Sequence, residues 1–116
     1  MPDATIQAQI AMIRAPETQS ILAYDPAEAL RKLNVPVLAL NGSKDIQVPP
    51  MQNLPAIAAA LTAGGNKDFT VKELPGLNHL FQKCGQCTIA EYASIEETFS
   101  PVALDIIGDW VVGHTR

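Results

Sequence analysis

The sequence predicts a small α/β fold in which a helix joins two parallel strands. An apolar run at about 35–41 leads into the turn signal Asn41-Gly42, and such a run is typical of a strand buried on both faces of a parallel sheet. A segment of alternating residues lies at about 69–74, and a helical apolar stripe lies between the two. Strand, helix and strand in this order predict a right-handed βαβ unit.

The chain before the first strand is predicted to be helical. Over residues 3–14, isoleucines recur at helical spacing, at Ile6, Ile10 and Ile13. A second short helical piece is expected at 20–24. Asp25 is a candidate N-cap and Pro26 suits the first helical position, so a further helix is predicted at 26–33.

The connection between the strands carries the clearest helical pattern. A helix is predicted at 53–63, with Pro55 in its first turn and Gly64-Gly65 ending it. Its apolar stripe consists of Leu54, Ile57, Ala58 and Leu61. The Pro49-Pro50 pair before it is expected to lie in a loop.

The last helix is predicted at 101–112, after an irregular polar loop. Ser100 is a candidate cap, Pro101 opens the helix and Gly113 is expected to end it. Its apolar side consists of Ala103, Ile106, Ile107, Trp110 and Val111.

Length and charge limit the class of protein. The 116 residues predict a single domain, 1–116, that is long enough to bury a sizeable core. A net charge of −4 without a basic patch argues against nucleic acid and anionic membranes as partners. No apolar run approaches the ~18 residues of a membrane span. The start, MPDATIQAQ, has no signal-peptide pattern, and two cysteines make no secreted scaffold, so a cytoplasmic protein without a cofactor is expected.

A carboxylate and an imidazole follow the two predicted strands. Asp45 comes after the first strand and His79 after the second. Because parallel strands end at the same edge of a sheet, the two side chains are expected within hydrogen-bond reach. A carboxylate can fix the tautomer of an imidazole that acts as a general base. The structural alternatives are a turn or capping role for Asp45 and an exposed, structural His79.

These residues also resemble a family pattern. The segments NVPVLALNGSKDIQVPP, KELPGLNHLFQ and IEETFSPVALDIIGDWV are similar to the C-terminal part of α/β-hydrolase fold proteins, the serine esterases and peptidase-like hydrolases. The resemblance implies that Asp45, in a G-x-x-D context from Gly42, is a catalytic acid. It implies that His79, in a G-x-x-H context from Gly76, is the catalytic histidine.

The resemblance also has implications for the layout of the chain. It covers about residues 23–112 and implies a partial α/β-hydrolase fold whose final helix packs over the sheet. Residues 1–24 then correspond to a cap-like helical segment, and residues 25–116 to the C-terminal α/β part.

The nucleophile of that family is absent from the sequence. It stands in G-x-S-x-G, and no serine here has the flanking glycines, whether Ser20, Ser43, Ser94 or Ser100. Because the members of a triad act as a unit, the isolated chain is predicted to be inactive. The sequence therefore predicts a remnant or fragment of a hydrolase that carries the acid and the histidine. The alternative is the C-terminal part of an active serine hydrolase whose nucleophile lies on a missing segment or another chain.

A Cys-x-x-Cys pair, Cys84 and Cys87, allows three interpretations. Incidental loop cysteines are favoured, followed by a reversible disulfide and then by a metal site completed by His79 and His114. The strand-then-helix context of a thioredoxin-like site is lacking, and the spacing fits no familiar zinc pattern.

The first strand is expected to have an unpaired edge. Two parallel strands are too few for a stable sheet, and the resemblance implies that further strands of the parent fold are missing beside residues 35–41. Such an edge can pair with another chain. Self-association as a homodimer is therefore predicted, through this edge and the apolar helix faces.

Overall fold

The computed structural model describes residues 3–115 and has a mixed α/β structure. Along the chain lie α1 (Asp3–Arg14), α2 (Pro16–Ala23), α3 (Pro26–Arg31), β1 (Val37–Gly42), α4 (Pro50–Ala63), β2 (Phe69–Leu74), a 3-10 helix (Ile89–Ser94) and α5 (Pro101–His114). The coarse prediction of an α/β structure with a strand–helix–strand unit is confirmed. Residues 1, 2 and 116 of the predicted domain lie outside the described residues.

The two strands form a parallel sheet, with Val37 opposite Phe69 and Gly42 opposite Leu74. β1 begins at Val37 and not at 35, because the preceding segment is held by a side chain. Asn66 Nδ2 donates to the carbonyl oxygen of Val35 at 2.8 Å and to that of Leu33 at 3.2 Å. This clamp fixes the chain just before the first ladder hydrogen bond.

The expectation that β1 is buried on both faces is wrong. Its residues Val37 to Leu40 are only half-buried, and burial is complete only at Asn41 and Gly42. α4 packs against both strands, but β1 has no second strand neighbour among residues 3–115. One flank of the strand is therefore open.

α4 starts earlier than its apolar stripe predicts. It begins at Pro50, where a missing N–H costs nothing, so this residue opens the helix and does not lie in a loop. Pro55 consequently lies inside the helix and not in its first turn. It cannot donate to the carbonyl of Met51, an exposed residue, so water can satisfy that carbonyl.

The predicted caps differ in outcome. The Asp25 carboxylate accepts from the backbone N–H of Ala27 at 3.0 Å and caps α3, which ends at Arg31 and not at 33. Ser100 occupies the N-cap position of α5, but its side chain makes no capping hydrogen bond. α5 continues through Gly113 to His114, so the predicted stop at Gly113 is wrong.

The hydrophobic core is small, although the chain is long enough to bury a sizeable one. Among residues 3–115, the buried apolar residues are Leu54, Ala60, Leu61, Leu74, Leu77 and Ala103. The radius of gyration is 17.5 Å, whereas about 13 Å is expected for a compact chain of this length. α1 packs against α2, and neither helix has a buried residue.

Within residues 3–115, none of the helices has the length and apolarity to cross a membrane.

Candidate active site

The loops that follow the two strands are joined by backbone hydrogen bonds. The N–H of Ser43 donates to the carbonyl of Leu74 at 2.9 Å, and the N–H of Lys44 donates to that of Leu77, also at 2.9 Å. Gly76 N–H donates to Ser43 Oγ at 2.8 Å. The loop after β1 is therefore held directly against the loop after β2.

Asp45 and His79 meet on these joined loops. Asp45 Oδ2 lies 2.9 Å from His79 Nδ1. The carboxylate can only accept, so Nδ1 donates, and a neutral ring then carries its lone pair on Nε2. Asp45 is 9% exposed and the His79 side chain is 36% exposed. Nε2 has no hydrogen-bond partner within residues 3–115, so the acceptor side of the imidazole is open.

The carboxylate of Asp45 has a structural role as well. Its Oδ1 accepts from the backbone N–H groups of Gln47 and Val48, both at 2.9 Å. Burial raises the pKa of Asp45, but the hydrogen bonds from Val48, His79 and Gln47, with the charge of His79, outweigh it and lower the pKa from its ordinary value. Oδ1 thus has the turn role predicted for Asp45, while Oδ2 makes the predicted contact with His79.

Asn41 supports the carboxylate of Asp45 and was not predicted to be part of the site. It is 3% exposed, and its Nδ2 donates to Val48 O at 3.0 Å and to Asp45 Oδ2 at 3.3 Å. Asn53 Nδ2 donates to Asn41 Oδ1 at 2.7 Å, which ties α4 to the end of β1. In the sequence Asn41 is a turn signal. The clue to its role is an amide at the end of an apolar strand, shortly before a lone carboxylate.

A second buried amide pair positions the histidine. Asn78 Oδ1 accepts from the N–H groups of Leu80 and Gln82, both at 3.0 Å, and its Nδ2 donates to Gln82 Oε1 at 3.1 Å. The tight turn places Phe81 at a positive φ of 58°. His79 is therefore held on a rigid turn. Sequence reasoning missed Asn78, although an asparagine two residues after the Pro75-Gly76 break favours such a turn.

The pair opens into a cleft of about 180 Å³. Its lining residues are Leu40, Asn41, Asp45, Val48, Asn53, His79 and Phe81. Two of the serines are unsuited to act as a nucleophile here, since Ser43 Oγ is hydrogen-bonded to the Gly76 N–H and Ser100 is fully buried. The cleft thus contains the aspartate–histidine pair and has room for a small polar group.

The two cysteines are not incidental loop residues. Cys84 and Cys87 are joined in a disulfide, which favours the second of the three interpretations. The metal site with His79 and His114 as further ligands is not formed. His79 is hydrogen-bonded to Asp45, and His114 Nε2 donates to Asp68 Oδ1 at 3.0 Å. Disulfides are rare in cytosolic proteins, and the cytoplasmic location stays a prediction.

Fold and site together define an α/β chain whose two parallel strands present an aspartate–histidine pair at their carboxyl edge. Comparison with protein-family models, with curated proteins and with solved structures found no match to this chain.

Proposed function

We propose that Asp45 and His79 are the acid and base of an incomplete Ser-His-Asp triad. The chain is then a remnant or fragment of an α/β-hydrolase that is inactive on its own. The observation that carries the proposal is the 2.9 Å contact between Asp45 Oδ2 and His79 Nδ1, which leaves Nε2 without a hydrogen-bond partner within residues 3–115. The parallel pairing of the two strands that lead to these residues supports it.

The proposed roles follow from the chemistry of the pair. His79 Nε2 takes the proton of an attacking hydroxyl, and the ionised Asp45 stabilises the imidazolium that results. The two N–H donors on Asp45 Oδ1 keep the carboxylate from rotating away. The hydroxyl itself has to come from outside this chain, since the sequence contains no G-x-S-x-G. In the alternative, a missing segment or another chain supplies it and the assembly is an active serine esterase or peptidase-like hydrolase.

The pair is tested by nitrogen NMR of the histidine rings. We expect His79 at neutral pH to carry its proton on Nδ1, with a slowly exchanging N–H signal. Asp45→Asn should shift the ring towards the Nε2–H tautomer and speed the exchange. Asp68→Asn is the matched control, because it removes the carboxylate charge that His114 contacts and should leave the His79 signals unchanged. An Nε2–H tautomer of His79 in the unaltered protein would refute the proposed base.

The predicted inactivity is tested with a p-nitrophenyl ester. The isolated chain and His79→Ala should both give background turnover, because no nucleophile is present to be activated. Turnover that is lost in His79→Ala would reject the inactive remnant.

We also infer that a second copy of the chain covers the open flank of β1. Next to that flank lies a groove of about 520 Å³, which is lined by Pro36, Val37, Leu38, Leu40, Phe81, Phe99, Ile107, Trp110 and Val111. Two strands alone are marginal in water, and a two-fold pairing of the β1 edges extends the sheet while covering the groove. A second copy needs no other gene product and brings an identical edge with it.

A further inference from the structure

The disulfide loop is wrapped around one carboxylate. Glu91 Oε1 accepts from the N–H groups of Gly85 at 2.7 Å and Gln86 at 3.3 Å, and Oε2 accepts from that of Cys87 at 2.6 Å. One oxygen of Glu91 and the sulfurs of Cys84 and Cys87 all lie within 4.8 Å of one another. Among residues 3–115 this is the one cluster of histidine, cysteine and acidic side chains with the spacing of a metal site.

Reduction changes what these atoms can bind. As a disulfide the sulfurs are closed to a metal, but two thiolates and a carboxylate are a ligand set that suits zinc. The Cα atoms of Cys84 and Cys87 are already only 5.0 Å apart, so both sulfurs can reach one ion without rearrangement of the loop ends. Glu91 is held towards them by its three backbone donors.

We propose that the reduced loop binds one Zn²⁺ through Cys84 Sγ, Cys87 Sγ and the Glu91 carboxylate, with water as a fourth ligand. A cellular thiol, RSH, opens the site: two RSH reduce the Cys84–Cys87 disulfide to two thiols and leave as RSSR. Zn²⁺ then displaces the two thiol protons, which are released to solvent. The disulfide form and the zinc form exclude each other, because the two thiolates that bind zinc exist only after the S–S bond has been reduced.

The charge of Glu91 favours this exchange. Its two oxygens accept three backbone N–H hydrogen bonds, the pattern of an ionised carboxylate. An anion beside two sulfurs disfavours free thiolates and favours either the neutral disulfide or a bound cation. The loop therefore has two favoured states, oxidised without metal and reduced with zinc.

The experiment compares zinc binding by the whole chain in its two redox states. The protein is reduced with a phosphine, desalted without oxygen and titrated with Zn²⁺ against a chromophoric chelator, and the released protons are measured. We expect one Zn²⁺ per reduced chain with about two protons released at pH below the ordinary thiol pKa, and no specific binding by the oxidised chain. Absence of a reduced-state site, or equal binding in both states, would overturn the proposal.

Variants assign the ligands. Cys84→Ser should abolish the site, and Glu91→Gln should weaken zinc binding by roughly tenfold or more. Glu96→Gln is the matched control, since it removes an exposed carboxylate from the same loop and should leave the affinity unchanged. If Glu91→Gln binds as tightly as Glu96→Gln, the carboxylate is not a ligand and that assignment fails. The comparison of redox states in the unaltered chain stands whether or not a variant folds.

Discussion

At Gly42 the end of β1 passes directly beside the loop that carries His79. A Cβ atom at this position would lie 2.2 Å from the carbonyl oxygen of Leu77 and 2.7 Å from that of Asn78. Both contacts are with backbone atoms, which cannot move aside as a flexible side chain can. The absence of a side chain at Gly42 therefore allows the approach on which the contact between Asp45 and His79 depends.

Gly42→Ala should accordingly destabilise the chain by about 2 kcal/mol or more, because the added methyl forces the two loops apart. Denaturant unfolding measures this loss, and the His79 Nδ1–H signal should weaken with it. Gly108→Ala is the matched control. Gly108 lies within α5 with nothing near its Cβ position, so alanine there should stabilise the chain by roughly 0.5–1 kcal/mol. Equal stability of Gly42→Ala and the unaltered chain would contradict the close approach.

At the scale of the elements, the last turn of α5 is stabilised by His114, which contacts two parts of the chain. His114 Nδ1–H donates to the carbonyl of Trp110 at 2.8 Å, and Nε2–H donates to Asp68 Oδ1 at 3.0 Å. The ring also stacks on Trp110, with centroids 4.0 Å apart. With an acceptor on each nitrogen, the arrangement selects the protonated ring. This contact joins the end of α5 to the residue before β2.

The stabilising effect of His114 should therefore depend on pH. The hydrogen bonds to Trp110 and Asp68 raise the pKa of His114 from its ordinary value. A raised folded-state pKa means that the contribution is complete below the unfolded value, roughly 6.5, and is lost as pH rises through the folded value. The difference in Tm between the unaltered chain and His114→Gln should be largest near pH 5.5 and smallest near pH 8.5. A difference that grows with pH would contradict the assignment.

As a whole, the molecule is elongated, with extents of 57 × 36 × 21 Å. Large apolar side chains lie exposed on most elements, among them Ile21, Leu22, Met51 and Val111. A chain with so little buried apolar area gains little stability from its own core. Association with a second copy through the β1 flank is the arrangement inferred above to supply the missing burial.

Two neighbouring valines test this association. Val111 lines the groove beside β1 and Val112 does not, while their exposures are nearly equal, at 45% and 46%. Val111→Glu should weaken the dimer by tenfold or more, because a charge would be buried at the interface, and Val112→Glu should leave it intact. Sedimentation across micromolar concentrations measures both. A monomeric unaltered chain at these concentrations would refute the second copy as the occupant of the groove.

Much of the fold follows from local patterns. The stripe of Leu54 and Leu61 and the alternation in β2 identify their elements, since these periods reflect which side chains face the interior. The boundaries were less predictable. Pro50 opens α4 and His114 closes α5, and in the second case the cause lies elsewhere in the chain, at Asp68 just before β2.

The sequence by itself determined the two parallel strands and the placing of an acid and an imidazole after their ends, because strand period and turn chemistry are local. Only the tertiary structure decided how that pair is held. The tertiary structure brings distant segments together at Gly42 and buries the amides of Asn41 and Asn78. It also folds one loop back on itself, which places Glu91 beside both cysteines. The small size of the core also could not be predicted from the sequence. Composition gives the number of apolar residues but not which of them pack against one another.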